Sequence, residues 1–233
     1  METSLHRELK ALYAPDETSQ EVSLDGFRID AVADDELVEI QHSSLSAIRR
    51  KVQQLTESHR VKVVKPIIVT KTLVKREAKD APVISRRQSP KRGKLLDLFD
   101  ELVHFTGAFP HERLVLEVPL VDVEEWRYPG HGRRRRRRGR DHQVEDVKLI
   151  AVREVHCFRT AADLTALVPR GLPRPFHTGH LAERLGVQRW IAQRIAYCFR
   201  KMGAARTVGK DANALLYELS VPQRRRPRRK RSA

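Results

Sequence analysis

The chain has 233 residues and a formal charge of +16, with 46 lysines and arginines against 30 acidic residues. That length allows one large domain or two small ones, and no run nears the roughly 18 apolar residues of a membrane span. Two cysteines without a CxxC spacing argue against a disulfide framework or a zinc knuckle. Both, Cys157 and Cys198, sit in apolar company and are expected as reduced core residues. The opening METSLHRELK has no apolar core of a leader, so the expected location is cytoplasmic, in association with nucleic acid and with no membrane partner.

The charge is blocked rather than spread. Residues 133–140 read RRRRRRGR and residues 224–231 read RRRPRRKR, seven cations each and together 14 of the 16 net charges. Arg133, Arg134, Arg135, Arg136, Arg224, Arg225 and Arg226 head the expected polyanion contacts, because charge this dense needs counterions.

In chain order, SLHRELKALY (4–13) reads as a helix capped by Ser4, with Leu5, Leu9 and Leu12 on one face. Strands are expected at 22–32 and 37–41, then a helix from Ser43 or Ser44 to about 58 carrying Ile48, Val52 and Leu55. VKVVKPIIVT (61–70) reads as a buried strand after a helical crossover. Residues 71–93 lose periodicity and read as a linker. A helix at 94–105 follows, and then two long runs, 113–128 and 144–160, that pair antiparallel around the arginine-rich segment. Pro119 places its strand at an edge or a bulge. From 160 to about 203 the pattern is helical. Two short strands, AARTV and NALLYEL, close the chain.

FRIDAVADDELVEIQ (27–41) carries the candidate chemistry. A two-residue turn at Asp34-Asp35 pairs Ala31 with Val38 and puts Asp30 opposite Glu39. Phe27, Ile29, Ala31, Val38 and Ile40 then share an apolar face, while Asp30, Glu39 and Gln41 share the other. Like charges directly opposite are destabilising. A divalent cation, which takes carboxylate oxygens, would relieve them.

This pattern, an Asp on one strand, then Glu-x-Gln on the next and a helix after it, resembles the PD-(D/E)XK, restriction-endonuclease-like nuclease superfamily. The resemblance covers residues 1–75. It implies a mixed sheet flanked by helices over residues 1–158, a magnesium (or manganese) ion held by Asp30 and Glu39 with Glu8 from the first helix, and phosphodiester hydrolysis. Asp30, Glu39, Gln41 and Glu8 are then the catalytic set. The superfamily's lysine is replaced by Gln41, which can hold water but brings no charge. Lys62 and Lys65 are the lysines near enough in sequence to supply it.

In the segment 176–219, Thr178 caps a short helix, HLAERLG, that turns at Gly186 and continues in a helix from Gln188 to Met202 and a hairpin. It resembles a winged helix-turn-helix, over 159–220, with 221–233 as a basic tail. The pair His177 and His180 is too isolated for a metal and reads as part of the helix cap. Ile191, Ile195, Cys198, Phe199 and Met202 form the expected buried stripe. Arg189, Gln193, Tyr197, Arg200 and Lys201 face away from it, arginine and glutamine being the side chains that read base edges. Lys210 sits at the expected wing turn, near a phosphate, and Trp190 is expected to pack.

The fold class is therefore α/β with a small C-terminal winged helix, and the expected partner is DNA, with RNA possible. The alternative is a non-catalytic DNA-binding or regulatory protein on a degenerate nuclease fold. The sequence leaves the oligomeric state open, a homodimer included.

Overall fold

The computed structural model describes residues 3–130 and 142–220. Arg133, Arg134, Arg135 and Arg136 and the tail with Arg224, Arg225 and Arg226 lie outside the described residues. Within them the fold is mixed α/β, a large mixed sheet of eight strands flanked by helices, followed by a two-stranded sheet.

Helix α1 (Ser4–Tyr13) has Thr3, not Ser4, at its N-cap position, and the Ser4 hydroxyl donates to Asp146 instead of capping. The expected strand 22–32 is two strands, β1 (Gln20–Leu24) and β2 (Phe27–Ala33). Asp25 and Gly26 both take positive φ, 50° and 77°, and turn the chain back on itself. A second positive-φ pair, Asp34 and Asp35, joins β2 to β3 (Glu36–Ile40). The resulting register is the one the turn predicts, Ala33 with Glu36 and Ala31 with Val38.

After a single 3-10 turn capped by Ser44, helix α2 (Arg49–Ser58) leads to β4 (Arg60–Val64), parallel to β3. The expected strand 61–70 breaks at Lys65-Pro66 and resumes as β5 (Ile67–Arg76). The expected linker then proves to be the rest of β5 and strand β6 (Val83–Gln88), paired antiparallel. All six residues of β6 are exposed, so it carries no apolar alternation to read.

A 3-10 turn and the short helix α3 (Leu98–Leu102) precede β7 (Leu114–Pro129) and β8 (His142–Phe158). β7 runs parallel to both β4 and β5 and antiparallel to β8. It is therefore interior, not an edge; the other alternative that Pro119 leaves, a bulge, lies beside it, where the β7–β8 register shifts between Leu120 and Val121. Val64 pairs with Glu117 and Ile67 with Leu120, so the Lys65-Pro66 break lies beside Pro119. The proline's missing N–H costs nothing where the neighbouring strand is interrupted.

Both faces of the sheet are covered. On one, Leu5 and Leu9 of α1 pack on Ala31, Val38, Ile40, Val64, Val121 and Val123. On the other, Val52 and Leu55 of α2 and Leu98, Phe99 and Leu102 of α3 pack on Ile29, Leu37, Val61, Val63 and Leu116. Ile29 and Ala31 thus face opposite layers, against the expectation of one shared apolar face. The break falls at Asp30, whose carboxylate takes the Ile40 N–H in place of a backbone partner.

The described residues end in α4 (Ala161–Thr165), α5 (Thr178–Leu185), α6 (Arg189–Lys201) and the hairpin β9 (Ala205–Asp211) with β10 (Ala214–Leu219). The cap of α5 is His177, not Thr178. Its Nδ1 accepts the Gly179 and His180 N–H groups, and the two imidazoles stack 3.6 Å apart. Gly186 closes α5 at φ 62°, a left-handed geometry that favours glycine. Cys198 is buried as expected, but Cys157 is exposed rather than in the core, and its thiol donates to the Glu117 carboxylate at 3.5 Å.

Candidate active site

Asp30 and Glu39 come from adjacent strands at the point where the β2–β3 ladder opens. Asp30 Oδ2 accepts the Ile40 N–H at 2.7 Å, and Oδ1 lies 3.3 Å from His6 Nε2 on α1. Glu39 is only 3% exposed. Its Oε1 is 2.5 Å from Lys51 Nζ on α2, an ion pair without an aligned hydrogen bond at that oxygen. Lys51 Nζ also donates to the Arg28 carbonyl, which holds it over the β2–β3 opening.

Burial raises the Glu39 carboxyl to about 7; Lys51 works against that rise and the negative charge of Asp30 adds to it. Burial also tends to raise Asp30, but the bonds from His6 and from the Ile40 N–H outweigh it and its pKa falls below the ordinary value. Two neighbouring carboxylates are thus pushed in opposite directions, as is frequent at functional sites. The His42 imidazole is lowered by burial and by the adjacent His6 and Lys65.

Gln41 ends β3. Its N–H donates to the Val64 carbonyl at 2.9 Å, and its side-chain oxygen accepts the Ser43 hydroxyl. Neither lysine suggested by sequence reaches the carboxylates by a direct contact. Lys62 pairs with Glu36 at 2.9 Å. Lys65 is buried, which lowers its pKa, and donates to the carbonyls of His42 and Ser43. The cation at the site is Lys51, with His6 beside Asp30. A trace of this was present in the sequence, since Lys51 follows Ile48 by three residues and precedes Leu55 by four, on the apolar side of α2.

Glu8 is not brought to this pair by any contact. Its Oε2 accepts the Leu149 N–H of β8 at 2.6 Å. Two residues along a helix turn a side chain by about 200°, so His6 and Glu8 leave α1 in nearly opposite directions. Among the described residues no group of three or more His, Cys, Asp or Glu side chains is arranged to hold a metal. Two carboxylates are still a sufficient protein share for magnesium, which keeps several waters and borrows substrate phosphate.

Residues 3–159 match the model of a family described as a domain of unknown function, DUF8091. The chain belongs to the DUF8091 family. An uncharacterized protein of Treponema pallidum (strain Nichols) is 30% identical to it over 223 residues, 95% of this chain and 86% of that protein. No solved structure matches it. The DUF8091 match spans the whole eight-stranded sheet and both carboxylates.

Beyond the DUF8091 match lies α6. Ala192, Ile195, Ala196, Cys198 and Phe199 are buried, and Ile191 only partly. Arg189, Gln193, Tyr197, Arg200 and Lys201 are exposed on the other side. Trp190 does not pack inside as expected. It is 44% exposed, with the Arg194 guanidinium 4.7 Å from its ring centroid. Lys210 is exposed but lies within β9, paired with Leu215, and not in the hairpin turn.

Proposed function

We propose that this chain is a metal-dependent nuclease that hydrolyses phosphodiester bonds in DNA. Its sheet is read as restriction-endonuclease-like, and its C-terminal unit as a winged helix that places it on DNA. The observation that carries the reading is the convergence of Asp30, Glu39 and Lys51 at one opening in the sheet, with Gln41 two residues on. The order helix, hairpin, helix, parallel strand around them supports it. For the C-terminal unit, support comes from the tight Gly186 turn between α5 and α6 and the hairpin that follows.

Asp30 and Glu39 would hold magnesium or manganese. The ion supplies Lewis acidity and a nucleophilic water at neutral pH. Glu39 needs a cation beside it to be ionised at pH 7, given its burial, and Lys51 contributes to that. Lys51 also places a positive charge where the phosphate acquires negative charge, the role Gln41 cannot fill. The Gln41 carboxamide, steadied by Ser43, is placed to orient water.

Incubation with supercoiled and linear DNA, with magnesium, manganese or EDTA, tests this. Metal-dependent cleavage is expected, lost in Asp30→Ala and reduced about 100-fold in Lys51→Ala, the range for removing one charge-stabilising donor. Full cleavage by Asp30→Ala overturns the site. A second reading, a non-catalytic DNA-binding protein, is favoured by one observation: His6 and Lys51 already face the two carboxylates. DNA binding with no cleavage under any metal would select it.

A further inference from the structure

The charge outside the two arginine runs is nearly neutral in sum, yet it is not neutral in place. Residues 71–94 carry nine lysines and arginines against Glu77 and Asp80. The fold turns this stretch into the outer side of β5, the whole of β6, and a segment that returns along β5. On that segment Lys91, Arg92 and Lys94 are exposed. Arg87 and Lys75, also exposed, precede it. Among the described residues none of Lys75, Arg87, Lys91 and Lys94 has a carboxylate partner, whereas Arg86 is held by Glu124 at 2.5 Å.

The topology fixes where this charge points. β4 and β5 form one interrupted strand beside β7, so their other sides are one edge. β3 lies on that edge at β4, and β6 at β5. After β6 the chain stays on the edge: Ser89 N–H donates to Lys71 O and Gly93 N–H to Ile68 O. After β3, Gln41 N–H donates to Val64 O. Gly93 and Gln41 are thus tied to positions four residues apart on one edge, about 13 Å at the rise of a strand. The approach at Gly93 is close. A Cβ there would lie 2.3 Å from Ile68 O, so only glycine lets the segment lie this near the strand.

We infer that the edge formed by Arg87, Lys91, Arg92 and Lys94 is a phosphate-backbone track for the same polynucleotide strand that enters the Asp30–Glu39 site. The inference rests on the nuclease reading for the choice of partner. Cations in a row without a carboxylate partner among the described residues (Arg92 donates only to the Gln88 carboxamide), beginning about four phosphates of axial rise from the site, suit a polyanion with regular charge spacing. Such contacts position a strand without reading its sequence.

The test is equilibrium binding of a fluorescein-labelled DNA duplex to the full chain in EDTA, across a salt series. The triple substitution Lys91→Gln, Arg92→Gln, Lys94→Gln is the variant, with unchanged thermal unfolding as its control. Each lost phosphate contact lowers the slope of log K against log salt by about 0.9. A slope smaller by about 2 to 3, with affinity down about tenfold or more at low salt, is expected. An unchanged slope overturns the track, even if affinity falls. The cleavage assay fails or succeeds independently: no cleavage with the slope effect intact removes the nuclease reading and leaves the track, while cleavage with no slope effect does the reverse.

Discussion

Glu39 is the residue at which folding and chemistry pull against each other. Its carboxyl rises from an ordinary 4.5 to about 7 in the folded chain, chiefly through burial. The folded state therefore holds the proton more tightly than the unfolded state, and between these values it binds more protons. Stability must then fall as pH rises through that window. The penalty is absent below the unfolded value and fully present above the folded one. Glu39→Gln removes the titration while keeping the shape. It is expected to be more stable than the parent by about 3 kcal/mol at pH 8, and nearly equal to it near pH 4. Urea unfolding at the two pH values measures this. A variant equally destabilised at both would show that the carboxylate is satisfied by Lys51 and stores no strain. Asp30 is the contrasting neighbour, held low by His6 and the Ile40 N–H. The pair is divided into one ready anion and one reluctant one.

At the scale of elements, what could be read from sequence was whatever carries period or turn chemistry. Positive φ at Asp34-Asp35 fixed the β2–β3 register from Ala33–Glu36 to Ala31–Val38, but the ladder ends there, and the break that lets the Asp30 carboxylate take the Ile40 N–H was not legible in the letters. The β5–β6 hairpin was lost to a linker because an exposed edge strand has no apolar face to alternate. Lys51 was overlooked because a single lysine beside an apolar stripe ordinarily snorkels to water; only the fold shows that it turns towards Glu39. Glu8 was misplaced because α1 is positioned by contacts over a hundred residues away in the chain. Asp146 accepts the Ser4 N–H at 2.8 Å and the Ser4 hydroxyl at 2.5 Å, and Glu8 accepts the Leu149 N–H. Burial tends to raise Asp146, but the Ser4 bonds outweigh it and its pKa falls. Its stabilising effect is thus present above the ordinary carboxylate range and is lost as pH falls through the lowered value. Asp146→Ala is expected to cost about 1 to 2 kcal/mol at pH 7 and to raise hydrogen exchange along α1 more than along α2. Equal exchange in the two helices would deny that Asp146 anchors α1, and with it the placement of His6.

The whole molecule is tied together by one apolar layer rather than by a linker between two independent units. The core under α2 and α3 continues without a break into Ile195, Cys198 and Phe199 of α6 and on to Leu181 and Tyr217. Phe99 of α3 meets Phe199 of α6 edge to face, ring centroids 5.8 Å apart, and both are fully buried. Asp100 pairs with Arg194 beside them, and Glu101 of the same helix caps the Leu45 N–H at 2.9 Å. That last bond lies four residues beyond Gln41, so α3 touches both the C-terminal unit and the loop that leaves the site. A DNA-binding face on α6 would then be held in fixed relation to Asp30 and Glu39. Phe199→Ala is expected to destabilise the chain by about 3 to 5 kcal/mol, as for other buried phenylalanines. The loss should appear in a single cooperative transition in calorimetry, because the cavity opens in a layer shared by sheet and helices. Separate melting, with the sheet's transition unmoved and only a small early one displaced, would mean that α5, α6 and their hairpin fold on their own. The shared core would then not fix the orientation of α6 to Asp30 and Glu39.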